Sequence, residues 1–192
     1  MTSKNILKLM TDKEIEFVDF RFTDPKGKLQ HLTMDATIVD DEMLEKGTFF
    51  DGSSISGWKA INESDMILKP DLARAIIDPF NSHNTLNLFC DILDPIKKEP
   101  YERDPRGTAK KAELYLKKLG IGDKAYFGPE PEFFTFDDVR FENKMNTSNF
   151  FVDSSEGPYN AGKKYENGNM GHRPVVKGGY FPVPPVDSAQ DM

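Results

Sequence analysis

Cysteine is nearly missing from this 192-residue chain: Cys90 stands alone, so no disulfide can close within it. A reducing compartment is the expectation, and with it a cytoplasmic localisation. Set in Leu86-Asn87-Leu88-Phe89-Cys90, the thiol reads as a small buried hydrophobe rather than a reactive group. No block of Lys and Arg is present, and the net charge of −7 excludes a nucleic-acid surface. No apolar run is long enough to span a bilayer, and no secretory leader pattern is found, so no membrane partner is expected. Tryptophan is scarce too, with Trp58 the sole example. Large apolar side chains are plentiful: 15 Phe and 6 Tyr can build a real core, while 30% charged residues keep the surface wet. The length allows one large domain or two small ones.

Hydrophobic spacing divides the chain in two. Ser3 can cap a short helix whose Ile6, Leu9 and Met10 share a face. Phe17 to Phe22 alternates as a strand, Asp24-Pro25-Lys26-Gly27 turns, and Leu29 to Met34 returns. Further short strands are expected at Met66–Leu68, Ala75–Asp78 and Thr85–Asp91. Mostly strands with one or two helices specify a compact α+β domain over residues 1–103. Pro95, Pro100 and Pro105 then punctuate a charged stretch and mark a boundary. Residues 104–192 open with Asp104 as an N-cap and Pro105 at the first helical position. That helix should stop at Gly120, with Ala112, Leu116 and Leu119 on a packed face. From about Phe141 to Pro174 periodicity fades, which reads as a long surface loop. The chain stops as Asp187 to Asp191 starts a helix at Met192, so a piece of a longer protein is the expectation.

Three stretches carry chemistry. In Gly128-Pro129-Glu130-Pro131-Glu132-Phe133-Phe134 two carboxylates lie two residues apart among aromatics. As a strand, it would project both from one face with Cα atoms about 6.6 Å apart. The prolines confine such a strand to an edge or a bulge. Paired hard oxygens on a stiff platform suit Mg²⁺ or Mn²⁺, while the alternative is a solvated face whose glutamates meet Lys or Arg. The second stretch, Phe50-Asp51-Gly52-Ser53-Ser54, is turn chemistry by itself. With Asp51, Trp58 and the acidic run to Asp65 close by, it could instead be a mobile loop that closes on a cation or nucleotide. The third, Gly157 to Lys164, nearly spells a phosphate-binding loop. Lys164 replaces the metal-binding Ser or Thr and no helix pattern follows, so that reading is rejected. His172 and Arg173 could bind an anion but read more simply as a solvated loop, and Asn146-Thr147-Ser148 is a glycosylation pattern without meaning in a cytoplasmic chain.

Taken together, these motifs resemble bacterial type I glutamine synthetase over essentially the whole chain. Phe50 to Ser54 followed by Glu63-Ser64-Asp65 is similar to the family's N-terminal signature. Gly128 to Phe133 is similar to its first metal-ligand strand, and Gly171-His172-Arg173-Pro174 through Val183 to its next block. Val175 departs from the glycine expected there. The loop before Gly171 is similar to the insertion of the subdivision regulated by adenylylation.

The resemblance implies an N-terminal β-grasp domain followed by the truncated start of a catalytic α/β domain, in an assembly of two stacked hexameric rings. It implies ATP-dependent joining of ammonia to L-glutamate through γ-glutamyl phosphate, with Mg²⁺ or Mn²⁺. By the match, Glu132 would hold the cation near glutamate and Glu130 the one bridging the ATP phosphates. Asp51 would bind ammonium and take its proton in the neighbouring subunit's site, with Ser54 and Tyr180 lining that pocket and Trp58 near the nucleotide. Two rivals stand beside this: a relative that joins glutamate to another amine, and a non-catalytic fragment. The intact Asp-Gly-Ser-Ser run favours ammonia.

Overall fold

The computed structural model describes residues 1–58, 64–155, 157, 159, 160, 162–166 and 183. The expectations placed on Glu63, on Tyr180 with residues 171–182, and on the start of a helix at 187–191 lie outside the described residues. The chain falls into two compact units, Met1–Tyr126 and Phe127–Met192.

In the first unit a helix, α1 (Ser3–Asp12), precedes a hairpin of β1 (Phe17–Thr23) and β2 (Leu29–Asp35). The helix begins one residue earlier than its sequence suggests: Thr2 is the extended N-cap, and its hydroxyl accepts the Asn5 amide at 3.2 Å. Ser3 is therefore inside the first turn and buried. The hairpin turn is tied by Asp24, whose Oδ1 accepts the amides of Lys26 and Lys28 at 2.9 Å each. A short helix α2 (Asp41–Lys46) leads into β3 (Thr48–Asp51), β4 (Asp65–Ile77) and β5 (Thr85–Leu93). The sheet order is β2-β1-β5-β4-β3, with β1 and β5 parallel and every other pair antiparallel. This is the β-grasp arrangement.

Alternation explains which face is covered. Val18, Phe20 and Phe22 of β1, Met66 and Leu68 of β4, and Leu86, Leu88, Cys90 and Ile92 of β5 are all buried. They pack with Ile6 and Met10 of α1 and Leu44 of α2 into one core. The other face is polar. There Asp19 accepts hydrogen bonds from Arg21 at 2.7 Å and Thr33 at 2.7 Å, and sits 2.6 Å from the His31 ring. Strands expected separately at Met66–Leu68 and Ala75–Asp78 are one strand, β4, with a register shift between Pro70 and Ala75. Proline has no amide for the ladder, so the strand bulges there and resumes.

Helix α3 (Pro105–Leu119) has the expected ends, with Asp104 as N-cap and Gly120 in the left-handed region. Asp104 serves twice: Oδ1 accepts the Arg106 amide and Oδ2 the Ile92 amide, each at 3.1 Å. Arg106 bridges Asp91 at 3.0 Å and Asp71 at 2.6 Å, and Lys110 pairs with Asp91. The expected packed face does not appear among the described residues. Ala112 is exposed, Leu119 is 49% exposed, and only Gly107 of the helix is buried. Of the later apolar positions only Leu116 is half-buried, and the others stay exposed among the described residues.

The second unit corrects two expectations. The glutamate segment, from Tyr126 to Phe136, forms no strand, because its prolines withhold two amides and no ladder partner is present among the described residues. The stretch read as a loop opens with a hairpin, β6 (Asp138–Lys144) paired with β7 (Thr147–Asp153) in register from Asp138–Asp153 to Lys144–Thr147. The register sets Val139 and Phe141 opposite Val152 and Phe150, a short alternation that the polar surroundings outweigh in the sequence. Among the described residues no helix is long and apolar enough to cross a membrane.

Candidate functional site

Asp51 ends the edge strand β3, directly across from Asp65 of β4. It then caps a 3₁₀ turn over Gly52–Ser54. Its Oδ1 accepts the Ser53 amide at 2.9 Å and the Ser53 hydroxyl at 2.6 Å. Those two bonds, the hydroxyl's first, hold the carboxyl below its ordinary range, with a smaller contribution from the Ser64 hydroxyl. The turn is clamped to β4. The Gly52 amide donates to the Ser64 carbonyl at 2.7 Å, and a Cβ on Gly52 would lie 2.3 Å from the Met66 sulfur. Only glycine allows that approach. Ser54 is exposed beside it. A carboxylate kept ionised on an exposed, clamped turn can attract a cation.

Trp58 sits at the far end of the same loop, and the structure places its ring in the core. The indole is 5% exposed, stacked on Phe22 with centroids 5.6 Å apart and edge-on to Phe50 and Tyr101. Tyr101 Oη donates to the Trp58 carbonyl at 2.9 Å, and Arg103 to the Gly57 carbonyl at 2.6 Å. The indole Nε1 is buried without a partner among the described residues. Sequence reasoning missed Ser53, Tyr101 and Arg103 as supports of this loop. Asp-x-Ser was the available signal for the first, since that spacing lets a hydroxyl bond back to the carboxylate; nothing local marked the other two.

Glu130 and Glu132 lie in the second unit. Both are exposed, and neither meets Lys or Arg among the described residues. No group of three or more His, Cys, Asp and Glu among the described residues is arranged to hold a metal. Two free carboxylates nevertheless fit Mg²⁺, which is commonly held by one or two carboxylates while water and substrate phosphates complete its shell. The structure groups Asp51, Ser53, Ser54 and Trp58 on one loop of the first unit and the glutamates on one segment of the second. Tyr180 lies outside the described residues.

Two family models match the chain in order, with a boundary earlier in sequence than that between the compact units. Residues 14–95 match the glutamine synthetase β-grasp domain and residues 102–192 the glutamine synthetase catalytic domain. Among curated relatives, a glutamine synthetase of Rhizobium meliloti is 61% identical over 191 residues, and one of Escherichia coli K12 is 56% identical over 192. Each alignment takes in 100% of this chain and 41% of the relative, so the chain spans less than half the length of the proteins it matches. Among solved structures, a Plasmodium falciparum glutamine synthetase superposes with a TM-score of 0.67 at 23% identity, covering 100% of this chain and 38% of that one. A ligand-free GmaS gives a TM-score of 0.54 at 21% identity, over 59% of this chain and 26% of that one. At these identities the structures speak for the fold alone. With both of its parts matched in order and a β-grasp sheet observed where the first match falls, the chain belongs to the glutamine synthetase family.

Proposed function

We propose that this chain serves, within a full-length subunit, in ATP-dependent ligation of ammonia to L-glutamate through γ-glutamyl phosphate, giving glutamine, ADP and phosphate. The observation that carries the reading is the clamped turn that presents Asp51 as an exposed, ionised carboxylate. In this proposal Asp51 draws in ammonium. Its depressed pKa suits attraction and not proton uptake, so taking the proton requires that the carboxylate be desolvated when the site is covered. Ser54 and Tyr180 would line the same pocket. Trp58 would stay near the nucleotide only as part of the wall behind the loop, since its ring is packed in the core.

Glu130 and Glu132 would hold Mg²⁺ or Mn²⁺, Glu130 on the nucleotide side and Glu132 on the glutamate side. The ion, when bound, neutralises charge on the phosphates in phosphoryl transfer. The two side chains would contribute hard oxygens, and among the described residues no cation pairs with either. The same proposal includes a division into residues 1–103 and 104–192, a cytoplasmic location, and two stacked hexameric rings with sites shared between subunits.

The test is Asp51→Ala in the full-length enzyme. Loss of a positioned acid–base group should lower kcat/KM for ammonium by roughly 10²- to 10⁴-fold while the KM for ATP stays near normal. Unchanged ammonium kinetics would remove Asp51 from the reaction. Better turnover of an alkylamine than of ammonia would favour the amine-ligase rival instead.

A further inference from the structure

We infer that Ser53 is a positioning residue for ammonium handling, fixing the Asp51 carboxylate through Oδ1 so that Oδ2 is the oxygen that meets the cation. This rests on the reading of Asp51 given above and adds to it a residue that the family motif placed in the pocket only as a neighbour of Ser54. A carboxylate on an exposed strand end would ordinarily sample several rotamers. Here one oxygen takes two donors from a single residue, the amide at 2.9 Å and the hydroxyl at 2.6 Å. The donor itself cannot drift, because the turn that carries it is pinned: Gly52 bonds Ser64 at 2.7 Å and approaches Met66 too closely for any side chain. Strand β4 thus fixes the turn, the turn fixes Ser53, and Ser53 fixes Asp51. Ser54 is exposed and does not share the Ser53 bonds to Asp51, so the two serines have different tasks.

The surroundings make the hydroxyl count. Along β3 the residues Thr48, Phe49 and Phe50 are uncharged, and β4 sets Asp65, another carboxylate, opposite. Among the described residues no cation pairs with Asp51. Its ionised state is therefore supported by neutral donors, and the Ser53 hydroxyl is the largest of them. Removing that hydroxyl frees the carboxylate to rotate and weakens its hold on the negative charge.

The experiment uses the full-length enzyme with Ser53→Ala, Ser53→Thr and Ser53→Gly beside Asp51→Ala. Ser53→Ala should lower kcat/KM for ammonium about tenfold, the size of one lost hydrogen bond to a charged group. It should also move the acid limb of that pH profile upward, because the Asp51 carboxyl then protonates more easily. The KM for ATP should not change. Ser53→Thr, which keeps the hydroxyl, should restore both quantities, and Ser53→Gly, which keeps only the amide, should behave as the alanine variant. A pH profile that stays in place in Ser53→Ala while Asp51→Ala is crippled overturns the positioning role and leaves the proposed function standing. If Asp51→Ala is itself without effect, the parent reading fails, and this one with it. Failure of both Ser53→Ala and Ser53→Gly to fold would assign the residue to the scaffold and overturn the inference as well.

Discussion

Gly47 and Gly57 share a backbone geometry but differ in their surroundings, which separates two sources of strain. Their φ angles are +89° and +88°. A Cβ at Gly47 would lie 2.4 Å from the Leu68 carbonyl oxygen, whereas at Gly57 nothing comes within 4 Å. Gly57→Ala should therefore cost only the left-handed penalty of about 1–2 kcal/mol. Gly47→Ala should add overpacking of roughly 1–3 kcal/mol to that, because β4 backbone cannot step aside. Denaturant midpoints of the two variants check the order; equal losses would mean that the clash relaxes. At the same scale, Asp78 is expected to contribute to acid sensitivity. Its carboxyl is lowered from 3.8 to about 2 by the Asn87 side chain first, then by the Phe80 amide and Arg21. Asp19 is also lowered: burial pushes its carboxyl up, but the bonds from Arg21, Thr33 and His31 outweigh it. A folded-state pKa below the unfolded one stabilises above the unfolded value and loses that contribution as pH falls to the folded value. Stability should then drop between about pH 4 and about pH 2. Asp78→Asn should flatten that part of the curve, and an unaltered slope would place the acid sensitivity elsewhere.

Helix α3 is held by its beginning. Asp104 is 1% exposed, and burial raises its carboxyl above the ordinary range even as it accepts the Ile92 and Arg106 amides. Asp104→Ala removes a cap and leaves two amides without their acceptor, so a loss of about 1–3 kcal/mol is expected. Leu114 on the same helix is 66% exposed. Leu114→Ala in this chain should stay within about 0.5 kcal/mol. Thermal unfolding of both variants followed by far-UV circular dichroism makes the comparison, and a large Leu114 effect would mean that the helix face is covered. The capping pair Asp104-Pro105 and the stop at Gly120 were legible in sequence because they are local. Burial of the helix face was not, since periodicity reports which residues could pack together and not what they meet. The β6–β7 hairpin escaped for another reason: its apolar alternation is only Val139 and Phe141 against Phe150 and Val152, too short to stand out from the polar stretch around it.

For the molecule as a unit, the proposed chemistry needs more than this chain offers among its described residues. Glu130 and Glu132 supply two oxygen donors, and the chain matches 41% of the length of its curated relatives. We therefore expect the 192-residue chain alone to release no phosphate from ATP with glutamate and Mg²⁺ present. Robust Mg²⁺-dependent release by the purified chain would sink that expectation. In the full-length enzyme, Glu130→Gln and Glu132→Gln should each raise the Mg²⁺ concentration required for half activity by roughly 10-fold or more. A metal titration that superposes on the parent's would show that neither carboxylate holds the ion.

Sequence alone determined what depends on near neighbours: the strand alternation of Phe17 to Phe22, the Asp24 turn, the cap and stop of α3, and the three ordered motifs that carry the family. It also singled out Asp51 and the glutamate pair as candidates, through the motifs in which they stand. Tertiary structure decided what depends on distant partners. It joined two expected strands across Pro70, exposed the far half of α3, and withheld a ladder from the proline-flanked glutamates. It buried Trp58 against Phe22, Phe50 and Tyr101, and it turned Ser53 back onto Asp51 by clamping Gly52 to Met66 and Ser64. Contacts of that kind join positions up to dozens of residues apart, and no local pattern encodes which of them will meet.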